Sequence, residues 1–392
     1  MQKAILENMK ERKAIFTATE IYQQPEVWKE LIESFDKEKG TFIEFIENIY
    51  KKYDHVRVIF TGAGSSAFIG NTIVPELNKQ QRPTIQFEAI ATTNIVSNPK
   101  EYLTNVPTVM VSFARSGNSP ESVATVNLGK RMISEFYQVI ITCNKDGQLA
   151  QNVKNDAKAI TILTPERAHD KALAMTSSFT SMLLIAYMLF SKGSLLEEWK
   201  TSLIEAGNQL LDKLSENVDD ILSYDFDRAV YIGSGLLGEA SHEASLKMLE
   251  LTAGKVVSIH ESSLGFRHGP KSIVNNKTMV IILMSQDEYT RKYDLDMLRE
   301  LAHEKLGAKI VVLTEKGLEE IENLADWVIP VGSNKNSSFT SDIQLALLYI
   351  VFAQILALKK SLQLNITPDT PSITGQINRV VKGVVIHSFN DE

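Results

Sequence analysis

Pro107–Glu121 reads P-T-V-M-V-S-F-A-R-S-G-N-S-P-E. Its first half is a short apolar run rich in β-branched residues, the pattern of a strand buried in a parallel sheet. Its second half is hydroxyl-rich: Ser116, Gly117, Asn118 and Ser119 lead into Pro120 and Glu121. Ser119 suits a helix N-cap, and Pro120 suits the first helical position. The stretch therefore predicts a strand, a tight turn and a helix whose first amides point back at the turn. Free N–H groups, serine hydroxyls and the positive end of the helix dipole then converge on one spot, which favours an anion. An ordinary capped turn uses the same residue types, so the rest of the chain has to decide.

A second stretch of this kind comes earlier, V-R-V-I-F-T-G-A-G-S-S-A-F-I-G at Val56–Gly70. It predicts a strand over Val56–Phe60, a turn over Thr61–Ser66 and a helix from Ala67. Gly62 and Gly64 permit close backbone approach, and Ser65 and Ser66 add hydroxyls at the helix start. It fails as a dinucleotide fingerprint, because the third glycine falls at Gly70 and no acidic residue follows a second strand in the required place. Thr84–Ala89, Thr108–Phe113, Gln138–Cys143 and Ala159–Leu163 read as further strands with helices between them. The expectation is an α/β domain with a parallel sheet.

The pattern then repeats. Arg228–Gly235, R-A-V-Y-I-G-S-G, matches R-V-I-F-T-G-A-G at Arg57–Gly64. Thr278–Ile282 matches Thr108–Ser112, and Ala308–Thr314 matches Gln138–Cys143. All three matches share an offset of roughly 170 residues, the mark of a duplicated domain. Where the first half has its serine turn, the second has Q-D-E-Y-T-R at Gln286–Arg291, whose acids would repel an anion. One phosphate site is expected, in the first half. Residues 1–50 read as a helical segment with a break at Pro25, followed by domains over residues 51–200 and 201–392.

Composition narrows the function classes. A chain of 392 residues, 44% hydrophobic and 23% charged, has the balance of a soluble globular protein. A net charge of −7 without a basic run argues against nucleic acid. The N-terminus lacks the apolar core of a signal peptide, and Ser181–Phe190 and Leu345–Leu358 read as too short to span a bilayer. A cytoplasmic protein is expected. Cys143 is the only cysteine, and the seven histidines include no H-x-x-x-H pair. No disulfide framework and no metal site are expected.

The chemistry is concentrated in the second half. Glu243, Lys247 and Glu250 are spaced to share one face of the helix after Gly235. A solvated ion-pair stripe has the same spacing, but here it follows a glycine turn at a strand end, where open α/β sheets bind ligands. In S-I-H-E-S-S-L-G-F-R-H-G-P, Ser258–Pro270, the turn formed by Gly269 and Pro270 presents His268 to solvent. His260 and Glu261 are weaker candidates. A phosphate anchor, a carboxylate base and a histidine acid/base suit proton transfer on a sugar phosphate.

With these residues placed, the chain resembles the double sugar-isomerase (SIS) domain family, which includes the isomerase half of glucosamine-6-phosphate synthase. Within it the chain is most similar to the AgaS-type galactosamine-6-phosphate deaminase/isomerase group, also called tagatose-6-phosphate ketose/aldose isomerases. The likeness rests on E-I-Y-Q-Q-P at Glu20–Pro25, the loop Ala114–Ser119, E-x-x-x-K-x-x-E at Glu243–Glu250, H-G-P at His268–Pro270 and N-R-V-V-K at Asn378–Lys382. It rests also on A-M-T-S-S-F-T at Ala174–Thr180. It implies two tandem SIS domains, each a doubly wound, flavodoxin-like parallel sheet flanked by helices, behind an N-terminal helical extension.

The resemblance also implies roles. Ser116 and Ser119, with Ser66, would hold the 6-phosphate, and Ser65 and Asn118 complete that set. Thr176 and Ser177 would touch sugar hydroxyls, with Glu243 also on the substrate side. Glu250 would shuttle the proton between C1 and C2 beside Lys247. His268 would assist ring opening, reaching across from a partner subunit, and Lys382 would hold the open-chain sugar near C1. The family's first phosphate-loop serine is Ala114 here, and Arg115 beside it could offer a bidentate phosphate contact instead. About 50 residues precede the first strand without a cysteine, so release of ammonia from glutamine is not expected.

The implied activity is conversion of galactosamine 6-phosphate to tagatose 6-phosphate and ammonia, with no metal or organic cofactor. The implied assembly is a homodimer with a shared site, a tetramer being open. The alternatives are deamination of glucosamine 6-phosphate, plain aldose–ketose isomerisation, and a non-catalytic sugar-phosphate sensor.

Overall fold

The apolar runs become strands, and every one of them pairs in parallel. The structure is a computed structural model that describes residues 9–192, 197–304, 306–332, 339, 341–372, 375, 378, 379, 381 and 383–389. The first sheet contains β1 (Val56–Thr61), β2 (Ile85–Ala89), β3 (Thr108–Ala114), β4 (Phe136–Thr142) and β5 (Ala159–Leu163), in the order β2-β1-β3-β4-β5. The second contains β6 (Arg228–Gly233), β7 (Val257–Ser262), β8 (Thr278–Leu283), β9 (Lys309–Thr314) and β10 (Trp327–Pro330), in the order β7-β6-β8-β9-β10. The two orders are the same doubly wound order, so the duplication read from the sequence is a duplication of topology. The register repeats as well: Arg57 lies opposite Thr108, and Arg228 lies opposite Thr278.

Strands β1, β3, β4 and β8 are buried at every residue, which is why they read as unbroken apolar runs. The strands β7 and β10 go beyond those expected from the sequence. β7, V-S-I-H-E-S, is a half-exposed sheet edge, and its polar alternation carries little strand signal.

The chain packs as two units. One comprises Val27–His169, Ser177–Ser194 and the segment from Thr374, and holds the first sheet. Its core stacks Phe60 on Phe113 at 6.1 Å, with Phe190 edge-on to Phe60 at 5.1 Å. The wholly buried helix Ser177–Phe190 supplies Phe190, and its Thr180 hydroxyl accepts the Trp28 indole N–H at 3.0 Å. The other unit comprises the chain up to Glu26, Asp170–Thr176 and Leu195–Ile373, and holds the second sheet. The segment read as Leu345–Leu358 is part of a 22-residue helix, Asp342–Gln363. Length and composition would let this helix cross a membrane, which corrects the sequence reading, yet 94% of its most apolar window is buried within the protein.

E-I-Y-Q-Q-P turns out to be a helix–helix joint. Ile15–Tyr22 ends before Gln24–Lys52 begins, and Pro25 sits in the first turn of the second helix rather than at a break. Glu20 is buried and accepts the amides of Lys171 (2.5 Å) and Ala172 (3.3 Å). Burial, followed by the neighbouring Asp170 charge, pushes its pKa up to about 8 against the pull of those amides. The folded chain therefore keeps a proton that the unfolded chain loses above the ordinary value of 4.5. Its contribution is full below that value and is lost as pH rises through about 8. Glu20→Gln keeps the acceptor and removes the titration. Urea unfolding at several pH values should show a fall on the order of a few kcal/mol across that window, and the variant should flatten it. An unchanged slope in Glu20→Gln would assign the pH dependence to other groups.

Candidate active site

In the first unit, β1 ends in a turn that only glycine permits. A Cβ on Gly62 would lie 2.6 Å from the Ser66 main chain, and Gly64 sits at φ +55°. This turn opens the helix Ser65–Lys79 and places the buried Ser65 and Ser66 in its first turn. The second unit repeats the backbone: a Cβ on Gly233 would lie 2.5 Å from the Leu237 carbonyl oxygen, and Gly235 has φ +58°. There the two serines are replaced by Leu236 and Leu237, and the hydroxyl that remains in the turn, on Ser234, donates to Asp294.

The turn after β3 stands beside the first one, since β1 and β3 are neighbours. It is braced by the loop after β4. Thr142 Oγ1 donates to the Ala114 carbonyl at 2.6 Å, and Asn144 Nδ2 donates to the Ser116 carbonyl at 2.8 Å. Gly117 (φ +69°) packs on Gly147, where a Cβ would lie 2.6 Å from the Ser116 oxygen. Asn118 Oδ1 accepts the Gln148 amide at 2.9 Å, so this side chain braces the turn. Ser116 Oγ accepts the Asn118 amide at 3.3 Å. Ser119 precedes the helix Pro120–Met132 and shares a 2.6 Å hydrogen bond with Ser122 Oγ. The Arg115 guanidinium is largely buried and donates to the Arg379 carbonyl at 2.7 Å, tying down the C-terminal segment. That partner was not legible from the loop.

The matching position in the second unit already holds a carboxyl group from the chain itself. Asp294 is fully buried at the carboxyl ends of β6, β7 and β8. It accepts the Ser234 and Ser263 hydroxyls at 2.5 Å each and the Ser285 amide at 3.1 Å. Burial raises its pKa, and these three donors oppose the rise. The sequence reading assigned the repulsion to Asp287 and Glu288. In the structure it is Asp294 that takes up the hydroxyl and amide donors at these strand ends.

The charged stripe is not a solvated surface. Lys247 and Glu243 have no exposed side-chain area, and 21% of the Glu250 side chain is exposed. Lys247 Nζ lies 3.2 Å from Glu243 Oε1 and 2.6 Å from Glu250 Oε2. Burial pulls the lysine pKa down, but the two carboxylates outweigh it and the net shift is upward. Glu243 thus acts as a buried counter-charge, while Glu250 combines a fixed ammonium partner with access to solvent. That is the arrangement of a positioned proton acceptor.

His268 is exposed in the turn after the short 3₁₀ segment Gly265–Arg267, followed by Gly269 at φ +123° and Pro270. Arg267 and Lys271 flank it and both bind Glu300. His260 stacks on His242 with ring centroids 3.9 Å apart. Burial and the His260 charge push His242 down to about 4. Thr176 has no exposed surface; its hydroxyl and amide donate to Asp170 at 2.9 and 2.7 Å. Ser177 opens the helix Ser177–Phe190 and is also fully buried. Lys382 lies outside the described residues.

Comparison with known proteins gives a consistent result. The SIS domain family model matches residues 53–192 and 224–358. The chain is 38% identical to D-galactosamine-6-phosphate deaminase AgaS of Escherichia coli O157:H7, over 95% of this chain and 96% of that one. It is 39% identical to the protein of the same name from Shewanella sp. (strain ANA-3), over 96% and 92% of the two chains. The crystal structure of tagatose-6-phosphate ketose/aldose isomerase from Escherichia coli superposes with a TM-score of 0.84 at 35% identity, covering 96% and 97%.

Proposed function

The chain belongs to the SIS domain family, and from that premise we propose that it converts galactosamine 6-phosphate to tagatose 6-phosphate and ammonium. The observation that carries the chemistry is Glu250, a partly exposed carboxylate fixed by a buried lysine. The relatives' names carry the substrate class.

The roles follow from the residues. In the first unit, the turns holding Ser65, Ser66, Ser116 and Ser119 seat the phosphate at two neighbouring helix starts. In the second unit, Glu250 removes the C2 proton of the open-chain amino aldehyde and returns a proton to C1. The amine gives up one proton and the C1 oxygen gains one, leaving an imine at C2. Water adds to the imine, the C–N bond breaks, and the ketose phosphate and ammonium leave. His268, exposed and turn-borne, is the candidate for moving the ring-oxygen proton during opening. Lys247 keeps Glu250 oriented.

A second reading, plain aldose–ketose isomerisation, is favoured by the name of the Escherichia coli structure. Ammonium release from galactosamine 6-phosphate and from glucosamine 6-phosphate separates the readings. Ammonium and tagatose 6-phosphate from the galacto sugar is the expected result. No ammonium from either sugar, with solvent exchange of tagatose 6-phosphate protons, would leave the isomerase reading, and silence in both assays would leave a sensor.

A further inference from the structure

At the opposite edge of the first sheet lies a cavity of about 570 Å³ that the reaction does not use. It opens where Thr84 leads into β2, at the amino end of the strands, whereas the serine turns stand at their carboxyl ends. Its apolar floor includes Ile46, Met188 and Leu189. Lys39, Arg82 and Lys192 line it against a single carboxylate, Glu47, and none of the three cations is in an ion pair among the described residues. Gln80 fixes the Lys192 end by accepting its main-chain amide at 2.6 Å. Two residues of the lining, Tyr50 and Ser191, carry enclosed hydroxyls with no hydrogen-bond partner among the described residues.

Three cations beside an apolar floor, with one carboxylate among them, suit a molecule that is both acidic and apolar. A pocket of several hundred Å³ with an apolar body and a few convergent polar groups is the ordinary form of a small-molecule site. The geometry points to a second binding site, for a small organic anion whose acidic group meets Lys39, Arg82 and Lys192 and whose body lies on the apolar floor. The site lies wholly within the first unit and does not depend on the reaction proposed above.

Phenyl phosphate is a suitable probe, with phenol as its neutral counterpart, titrated calorimetrically into the full chain. Arg82→Gln combined with Lys192→Gln should weaken one class of phenyl phosphate sites at least ten-fold and leave catalytic turnover unchanged. Ser116→Ala combined with Ser119→Ala should leave that class intact, which separates it from the serine turns. Ile43→Trp, projecting into the cavity from the helix Gln24–Lys52, should abolish it without altering charge. Equal affinity in the cation variant, loss only in the serine variant, or phenol binding as tightly as phenyl phosphate would each overturn the proposal.

Discussion

Glu250→Gln is expected to lower the rate of ammonium release from galactosamine 6-phosphate by about 10²- to 10⁴-fold, the usual contribution of a positioned general base. The fall should appear in kcat with KM nearly kept, because the base acts on the proton in transit and not on the bound ground state. The substitution is a strict test because the amide oxygen can still accept from Lys247 Nζ, now 2.6 Å from the carboxylate. Glu243 remains as the second partner of the lysine at 3.2 Å. Replacing a charged acceptor by a neutral one in that position costs about 1–2 kcal/mol, well inside the 5–15 kcal/mol that holds a typical domain together. The variant should therefore be folded and inactive. Activity within ten-fold of the parent would remove Glu250 from the proton transfer and return the search to His268 and the residues around it.

The sequence carried the fold further than it carried the site. Strands buried on both faces announce themselves as apolar runs, so β1, β3, β4 and β8 could be read directly and the repeat aligned on them. The edge strand β7 escaped because a half-exposed strand shares its polar alternation with loops. The glycine turns were legible for a local reason: Gly62 must clear the Ser66 main chain four residues on, and Gly64 needs a φ of +55°. Asp294 was not legible. It sits in the helix Glu288–Glu304 among other acids, and only the folding of three strand ends around it separates it from a surface aspartate. Arg115 failed for the same reason, since its carbonyl partner lies far along the chain. The hydrogen bonds of Thr176 to Asp170, six residues earlier, were not legible either. The spacing of Glu243, Lys247 and Glu250 gave their common face but not their burial, which comes from packing of the helix Leu236–Leu251 against β6, β7 and the helix Asp342–Gln363.

That burial makes Lys247→Met the substitution with the largest expected effect on stability. Methionine matches the length of the lysine stem and fills its volume, so the cost is electrostatic rather than a cavity. Without the ammonium, Glu243 keeps no exposed side-chain surface and loses the cation that lies 3.2 Å from its Oε1. Breaking a buried ion pair in this way costs about 3–5 kcal/mol. The sign of the pH dependence follows. A buried carboxylate that loses its neighbouring cation takes up a proton more readily than before. The variant should therefore be least impaired at acidic pH and lose stability as pH rises above the ordinary carboxylate range near ~4.3. Adding Glu243→Gln removes the stranded charge and should recover much of the loss at neutral pH, although the two single changes are each unfavourable. A coupling of about 0.5–3 kcal/mol in this double-mutant cycle is the measurable form of the triad. Urea unfolding of the parent, both single variants and the double variant at pH 5 and pH 8 decides it. Additive losses with no pH dependence would mean that Lys247 stabilises the helix through its stem alone. Coupled, pH-dependent losses would show that the buried charge which positions Glu250 also helps to hold the second unit together.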